Sequence, residues 1–473
     1  MLSRLAPAAI ALTIVASVTP AFALPGGLTQ LHGKAGCVTQ QNAPPRLKKD
    51  CAMDRFAGNQ MWDLAVSPDG RNLYVASIGG AVSVMRIRHG GQLDQLPGKA
   101  GCFSRSGSFG CTRVPALSLT TKVVVSPEGR RVYVGSADAG HGGVVIFERK
   151  PKTGALHLLG CVGENGRHGC ASLRTPIAAV SDMAVTPDGQ HLYVASGRFG
   201  QAQAGVVVVL RRTGHAGLSQ IIGRAGCINS DGSSFCTPAR GLLKLCCGVA
   251  VGPHSDNLYL SSSQVVSASD PQALDSAHFA LAAFSLDRRG VPSQLQGPAG
   301  CVNQDGSEGC TPVAFRGNEP ENTAGDIVLS PNGRNLYLAH SSTYPTAEAA
   351  ICGASFNYIA MFPRDPVSGA LGVLRQDAGA CGSDPLLSPD GNTMYAVTGN
   401  FGNEVSIFSR DRATGLLAGA GCIDPYARDC GKARHLTAPS ALAITPSGRY
   451  AYIVSDDAGF GETIGVFRRA VRG

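Results

Sequence analysis

A four-residue turn signal recurs seven times along the chain: Ser67-Pro68-Asp69-Gly70, Ser126-Pro127-Glu128-Gly129, Thr186-Pro187-Asp188-Gly189, Gly252-Pro253-His254-Ser255, Ser330-Pro331-Asn332-Gly333, Ser388-Pro389-Asp390-Gly391 and Thr445-Pro446-Ser447-Gly448. Successive copies lie 59, 60, 66, 78, 58 and 57 residues apart. The length of 473 residues would by itself suggest about three domains. A period this regular excludes three unrelated ones, and each unit is long enough for four short strands. Hydrophobic residues make up 44% of the chain, enough for a core, so disorder is excluded.

Each unit reads as strand, turn, strand. Leu64-Ala65-Val66 leads into Pro-Asp-Gly, and Asn72-Leu73-Tyr74-Val75-Ala76 leads out. Proline presets the first central turn position and glycine tolerates the reversal after it. A third apolar strand follows, such as Val82-Ser83-Val84-Met85 or Val206-Val207-Val208-Val209-Leu210, then a short fourth such as Leu156-His157-Leu158-Leu159. Seven four-stranded antiparallel sheets around an axis make an all-β seven-bladed β-propeller, with almost no helix. The stretch from Gly27 to Cys37 is a fourth strand with no first three before it, and Thr463-Ile464-Gly465-Val466-Phe467 is a third with no fourth after it. Together they are expected to complete one blade and close the ring, leaving no free sheet edge there.

Residues 1–23 carry Arg4, an apolar stretch from Leu5 to Val18 and a small-x-small step at Ala21-Phe22-Ala23. This is the pattern of a cleaved secretory signal, with residues 24–473 as one propeller domain. A membrane anchor needs a longer uninterrupted span. Position 24 is not cysteine, so no lipid anchor is indicated, and no second membrane-length apolar run follows. The expected location is secreted, extracellular or periplasmic, and the expected state is a monomer. The net charge of +8 is dispersed, without a basic run, which gives no support to nucleic-acid binding.

Sixteen cysteines in an exported chain are the arithmetic of a disulfide framework. The local pairs are Cys37/Cys51, Cys102/Cys111, Cys161/Cys170, Cys227/Cys236, Cys301/Cys310 and Cys422/Cys430, with Cys352/Cys381 expected as a seventh. The adjacent Cys246 and Cys247 could bridge each other or pair with Cys352 or Cys381. Structural zinc is not expected, because no Cys-x2-Cys spacing is present. The segments Asn229-Ser230-Asp231-Gly232-Ser233 and Asn303-Gln304-Asp305-Gly306-Ser307 resemble half a calcium loop without its distal glutamate, and are read as disulfide-tied turns.

The repeated Ser-Pro-Asp-Gly-x-x-Leu-Tyr-Val, the Val-x-Val/Ile-Phe strand after it, and Thr-Gly-x-Leu as in Thr153-Gly154-Ala155-Leu156 together resemble the lactonase-type and YVTN-repeat seven-bladed propellers. The resemblance spans nearly all of the chain after the signal. It implies the fold, and it implies hydrolase, isomerase or non-enzymatic surface roles, since one such fold hosts many activities. Lactonase-type enzymes carry an Arg-His step at the fourth residue before the turn signal and a Glu four residues beyond the Tyr. Here those last positions hold Ile78, Ala137, Gly197, Ser263, Ser341, Gly399 and Asp456, and no Arg-His pair stands at the fourth-back position; Arg434-His435 lies elsewhere, ten residues before Thr445.

The first strand of a propeller blade lines the channel. Counting back four from each turn signal gives Asp63, Lys122, Asp182, Gly248, Asp326, Asp384 and Ala441, a ring with four carboxylates. Such a ring focuses negative potential and could hold a divalent cation or place a general acid/base pair; equally, each Asp could cap the backbone of the loop before its strand. Trp62, the single tryptophan, precedes Asp63 and should stand beside the mouth. Loops from Ser262 to His278, from His340 to Asn357 and from Gly197 to Gly205 could roof the mouth with Asp270, Asp275, His278, His340, Tyr344 and Arg198. No Gly-x-Ser-x-Gly elbow points to a Ser-His-Asp triad. The leading expectation is a secreted scaffold that binds a small molecule or an extracellular partner at its channel mouth. The alternative is a hydrolase or isomerase acting on lactones or related carboxylated rings, with a mouth carboxylate as general base on water.

Overall fold

The computed structural model describes residues 25–55, 60–138, 141–197, 205–214, 217–242, 245–264, 278–314, 323–342, 356–380, 384–397, 403–456 and 461–471. The segment read as an export signal lies outside them. In blade 1 the strands Met61–Val66, Asn72–Ser77 and Ala81–Ile87 run antiparallel from the channel outward. The fourth is broken in two, Leu93–Gln95 and Cys102–Ser104, around a 3-10 turn at Gly98–Gly101. Beyond it Thr112–Arg113 adds a short parallel strand that the four-strand expectation did not include. The first strands begin at the same end of the ring at which the second strands finish, since Met61 pairs with Ser77 and Ser77 with Ala81.

The turn signal works through its side chains. Ser67 Oγ donates to Asp69 Oδ1 at 2.6 Å and accepts from Asn72 N at 3.0 Å, while Gly70 takes φ 68°, the left-handed conformation that glycine adopts without cost. Blade 2 opens with Leu119–Val125, blade 3 with Val180–Val185, blade 4 with Leu245–Val251, blade 5 with Thr323–Leu329, blade 6 with Asp384–Leu387 and blade 7 with Pro439–Ile444. Blade 7 is completed as expected: Leu28–Gln30 and Cys37–Gln40 both pair with Glu462–Arg469, with Cys37 opposite Gly465. Helix is confined, among the described residues, to Pro45–Asp50 and short 3-10 turns.

The core is divided into clusters that lie between blades. Tyr74, Val82 and Val84 of blade 1 pack on Val123, Val132 and Phe147 of blade 2, whereas Leu73 and Val75 face Val454 and Ile464 of blade 7. The alternation along each strand thus buries both faces of every sheet. Each fully buried Val, Leu or Phe stabilises the ring by roughly 1.5–3 kcal/mol.

A polar clasp crosses the seams at the far end from the strand starts. Tyr74 Oη donates to the carbonyl of Gly154 in blade 2 at 2.9 Å and accepts from Arg149 Nε at 2.8 Å. The Arg149 guanidinium goes on to Gly129 O, to both Asp69 oxygens at 2.8 and 2.7 Å, and to Asn72 Oδ1. Arg364, Arg410 and Arg469 do the same for Tyr259, Tyr337 and Tyr395. These contacts explain why tyrosine, asparagine and Thr-Gly recur at fixed offsets in the repeat. At the seam from blade 7 to blade 1 the Tyr452 bond to Gly91 O is kept, but Ile87, Ser447 and Tyr450 replace the Arg, Asp and Asn, so that seam is apolar.

The six local disulfides form as expected: Cys37 with Cys51, Cys102 with Cys111, Cys161 with Cys170, Cys227 with Cys236, Cys301 with Cys310, and Cys422 with Cys430, at Cα–Cα distances of 4.5–4.8 Å. The second cysteine of a pair leads directly into the added parallel strand. Cys51 precedes Ala52–Asp54, Cys236 precedes Thr237–Pro238 and Cys310 precedes Thr311–Pro312. The bridge therefore ties this strand to the fourth one at the rim of the blade. The Cys352/Cys381 pair and the side chains of Cys246 and Cys247 lie outside the described residues. The two calcium-like segments are closed on themselves: Asn229 Nδ2 donates to Ser233 O at 3.1 Å, and Asn303 Nδ2 to Ser307 O at 3.1 Å.

Candidate functional site

Six of the seven first strands carry a register shift at the position found by counting back from the turn. It falls between Met61 and Asp63, Thr120 and Lys122, Val180 and Asp182, and Pro439 and Ala441, with a longer skip over Gly248 and over Asp326. In blade 6 the described part of the strand starts at Asp384, and no shift falls among its described residues. A bulge re-aims the residue that follows it. Asp63, Lys122, Asp182, Asp326 and Asp384 thereby face one another inside the channel.

Lys122 is the hub. Its Nζ lies 3.2 Å from Asp182 Oδ1, and the two side chains keep 22% and 8% of their surface exposed, which places them along a narrow passage. Burial would pull the Lys122 ammonium down, but Asp182, then Asp63, Asp326 and Asp384, hold it well above the usual lysine range. Burial pushes Asp63 up, opposed by Lys122 and by the amide of Val123. Asp182 is pushed up to about 6, by burial first and by Asp326. Asp384 is driven well above the carboxylate range by burial and by Asp326, with which it shares a hydrogen bond. Burial and a neighbouring carboxylate thus both favour the protonated form of Asp384.

Two of these aspartates also stitch blades together. Asp63 Oδ2 accepts from Val123 N of blade 2 at 2.7 Å, and Asp182 Oδ2 from Val249 N of blade 4 at 2.7 Å, while its Oδ1 takes Met183 N at 2.8 Å. The capping role and the channel role thus coexist in the same carboxylates. Gly248 holds the blade 4 position because a Cβ there would stand 3.0 Å from Asp326 Cα and Gly325 O. Its amide is taken by Ser261 Oγ at 2.7 Å. Trp62, next to Asp63 in the chain, is 41% exposed at the strand start. Asp456 ends its strand opposite Glu462, and its side chain lies outside the described residues.

The loop candidates divide. Asp270, Asp275, Tyr344 and Arg198 lie outside the described residues, and of His278 only the strand backbone is described. His340, read as a mouth residue, is instead 1% exposed between blades 4 and 5: its Nε2 pairs with Asp377 Oδ1 at 2.8 Å and its ring stacks on Tyr358. Strand alternation turns it inward, which loop length alone did not reveal. Arg434 of the Arg-His pair is a perimeter staple, donating to Gly33 O at 2.8 Å beside Gln30; Arg55, Arg174 and Arg240 act identically on Gly98, Gly223 and Gly297. The signal for these was present as an arginine four residues after the second cysteine of a pair.

The paired cysteines belong to this perimeter and take no part in the channel site. Cys51, Cys236 and Cys310 are buried, as are their partners Cys37, Cys227 and Cys301, so no sulfur of these pairs is presented to a ligand. The Cys301–Cys310 bridge is packed under Gly241, where an added Cβ would meet Cys301 Cβ at 2.8 Å and Cys310 Sγ at 3.0 Å. The physical reason is their place on the outermost strands, whereas the channel is lined by the first strands.

Among the described residues the only set of three metal-type ligand atoms within 4.8 Å of one another is Glu404 with Cys422 and Cys430, whose sulfurs are already bonded to each other. The channel carboxylates are spread around Lys122 rather than gathered on one point.

In sequence the chain matches no protein-family model and no curated protein. In structure it is similar to the hydrazine synthase of Kuenenia stuttgartiensis, at 16% identity over 87% of this chain and 96% of that one, with a TM-score of 0.53. A Lactobacillus plantarum protein is similar at 17% identity over 79% and 85% of the two chains, with a TM-score of 0.51. The periplasmic gluconolactonase of Pseudomonas aeruginosa aligns at 18% identity over 76% and 83%, with a TM-score of 0.49. At such identities the likeness is one of fold.

Proposed function

We propose that the protein is a secreted propeller that binds a small cationic ligand, an organic amine or a hydrated divalent cation, at the mouth of its channel. The observation that carries this reading is the convergence of Asp63, Asp182, Asp326 and Asp384 on one buried cation, Lys122, with exposed Trp62 next to Asp63 in the chain. Four carboxylates around one ammonium leave the passage with an acidic excess, focused by low-dielectric walls. Because the carboxylates are spread around Lys122, a ligand held through water or through several N–H donors suits them better than a bare ion bound directly. The six disulfides fit a location outside the cytoplasm. Titrating Trp62 emission with spermidine, choline, calcium and magnesium tests the reading. A saturable change that weakens in Asp182→Asn with Asp326→Asn supports it, and no binding by emission or calorimetry sinks it.

The hydrogen bond between Asp326 and Asp384 favours a second reading. In a lactone hydrolase, Asp326 as general base would take a proton from water, the hydroxide would add to the lactone carbonyl, and Asp384, whose carboxyl is raised, would give its proton to the ring oxygen as that bond breaks. The products are the hydroxy acid and the regenerated pair. Acid release from a lactone panel, lost in both Asp326→Asn and Asp384→Asn, is the test.

A further inference from the structure

The fourth strand of blade 5 starts late. In blade 2 it begins at Leu156, close behind the seam glycine Gly154; in blade 5 the equivalent glycine is Gly369, and the strand begins only at Gln376. The intervening segment is tethered at Leu371, which bridges Arg364, at Gly372, whose amide donates to Pro363 O at 2.8 Å, and at Arg375, whose amide donates to Met361 O at 3.0 Å. Leu374 packs on the core cluster of blades 4 and 5, while Val373 is turned outward, 61% exposed. A cleft of about 690 Å³ remains between blades 5 and 6, at the end of the ring opposite the mouth. Its apolar lining comes from Met361, Pro363, Pro366 and Leu416, and no acidic residue lines it.

Three arginines line this cleft, and they differ in their commitments. Arg364 is spent on the seam clasp, through Tyr259, Gly333 O and Asn257. The guanidinium groups of Arg334 and Arg375 make no hydrogen bond or ion pair among the described residues; Arg334 uses only its backbone, donating to Asn332 and accepting from Arg364 N. The nearest turn acids are engaged elsewhere: Asp365 takes the amides of Val367 and Ser368, and Asp411 those of Ala413 and Thr414. Two unspent guanidiniums over an apolar floor match an anion with an apolar body, because the fork of donors fits carboxylate or phosphate while the rest of the ligand leaves water.

We propose that this cleft binds a small amphipathic anion, a carboxylate or phosphate ester on an apolar chain, with Arg334 and Arg375 holding the charged group and Leu416 the chain. The site is independent of the channel. Calorimetric titration of the intact protein with octanoate and with octyl phosphate, each below its micelle concentration, tests it, with octanol as the neutral control. Saturable binding of both anions, at least tenfold tighter than octanol, is expected. Arg334→Gln with Arg375→Gln should weaken it tenfold or more, Leu416→Asp should do the same from the apolar side, and Arg71→Gln, at the equivalent turn of blade 1, should leave it unchanged. All of these positions are exposed to solvent, so an unchanged thermal midpoint certifies folding. Anion binding that survives the double arginine substitution overturns the proposal, as does binding to phosphatidylglycerol vesicles without binding to the monomeric amphiphiles.

Discussion

Arg149 of blade 2 hydrogen-bonds the Tyr74 hydroxyl of blade 1 from Nε at 2.8 Å, and the same guanidinium is paired with Asp69 at 2.7 Å. Burial alone would raise Asp69, but the Ser67 hydroxyl and Arg149 hold its carboxyl below the usual range. Each seam that carries this set is locked by a charge with no water of its own, since Arg149 is 2% exposed.

Arg149→Met is expected to destabilise the protein by about 3–5 kcal/mol, because it strands the polar groups of Tyr74 and Asn72 in the seam. Combining it with Asp69→Ser and Asn72→Tyr, which copies the apolar chemistry of the seam between blades 7 and 1, should recover much of the loss. Urea unfolding of the single and triple variants measures both; a triple variant no better than the single would show that the apolar seam does not transfer.

Cation binding at the mouth is expected to strengthen as pH rises from 5 to 7.5. Asp182, raised to about 6, is largely protonated at the lower value and ionised at the higher. Protons therefore compete with the cation below that point. Calorimetry at the two pH values checks the sign, and a binding constant that falls with pH would contradict the site.

Asp54 is raised to about 7, by burial first and by neighbouring Asp94. A raised acid binds more protons folded than unfolded between about 4 and 7, so its contribution to stability is present at low pH and is lost as pH climbs through that window. Asp54→Asn should raise stability at pH 8 by about 1 kcal/mol and change little at pH 4. Thermal melts at both values decide it.

Removing one loop disulfide, as in Cys102→Ser with Cys111→Ser, should cost roughly 3 kcal/mol in the chain-entropy account. Peptide mapping without reduction should recover the six local links, and it also tests the expected link of Cys352 to Cys381.

The ring of Asp63, Lys122, Asp182, Asp326 and Asp384 could be found by counting because the turn repeats at a fixed offset from the strand start, so sequence offset maps to position in space. The pairing of Cys51, Cys236 and Cys310 was legible for the same reason, but spacing does not say that their bridges sit at the blade rim, away from the channel. Tyr74 was legible as a strand residue but not as a clasp, since its partners Arg149 and Gly154 lie 75 and 80 residues away and only the packed seam brings them together. His340 was misplaced because a loop boundary does not say which face of the preceding strand a residue takes. The arginine cleft was invisible, since it arises from where one strand starts late, and late starts leave no motif.

Cys37 sits opposite Gly465, 428 positions later (465 minus 37), so the first described strands wait for nearly the whole sequence before they find their partner. Loop closure over such a span is slow and entropically costly. The blades in between can stack while the circle is still open, and oxidation of their loops needs only local cysteines. Joining the ends is therefore a length check: a product cut short before Glu462–Arg469 keeps bare edges on blade 7, and those edges invite aggregation or proteolysis.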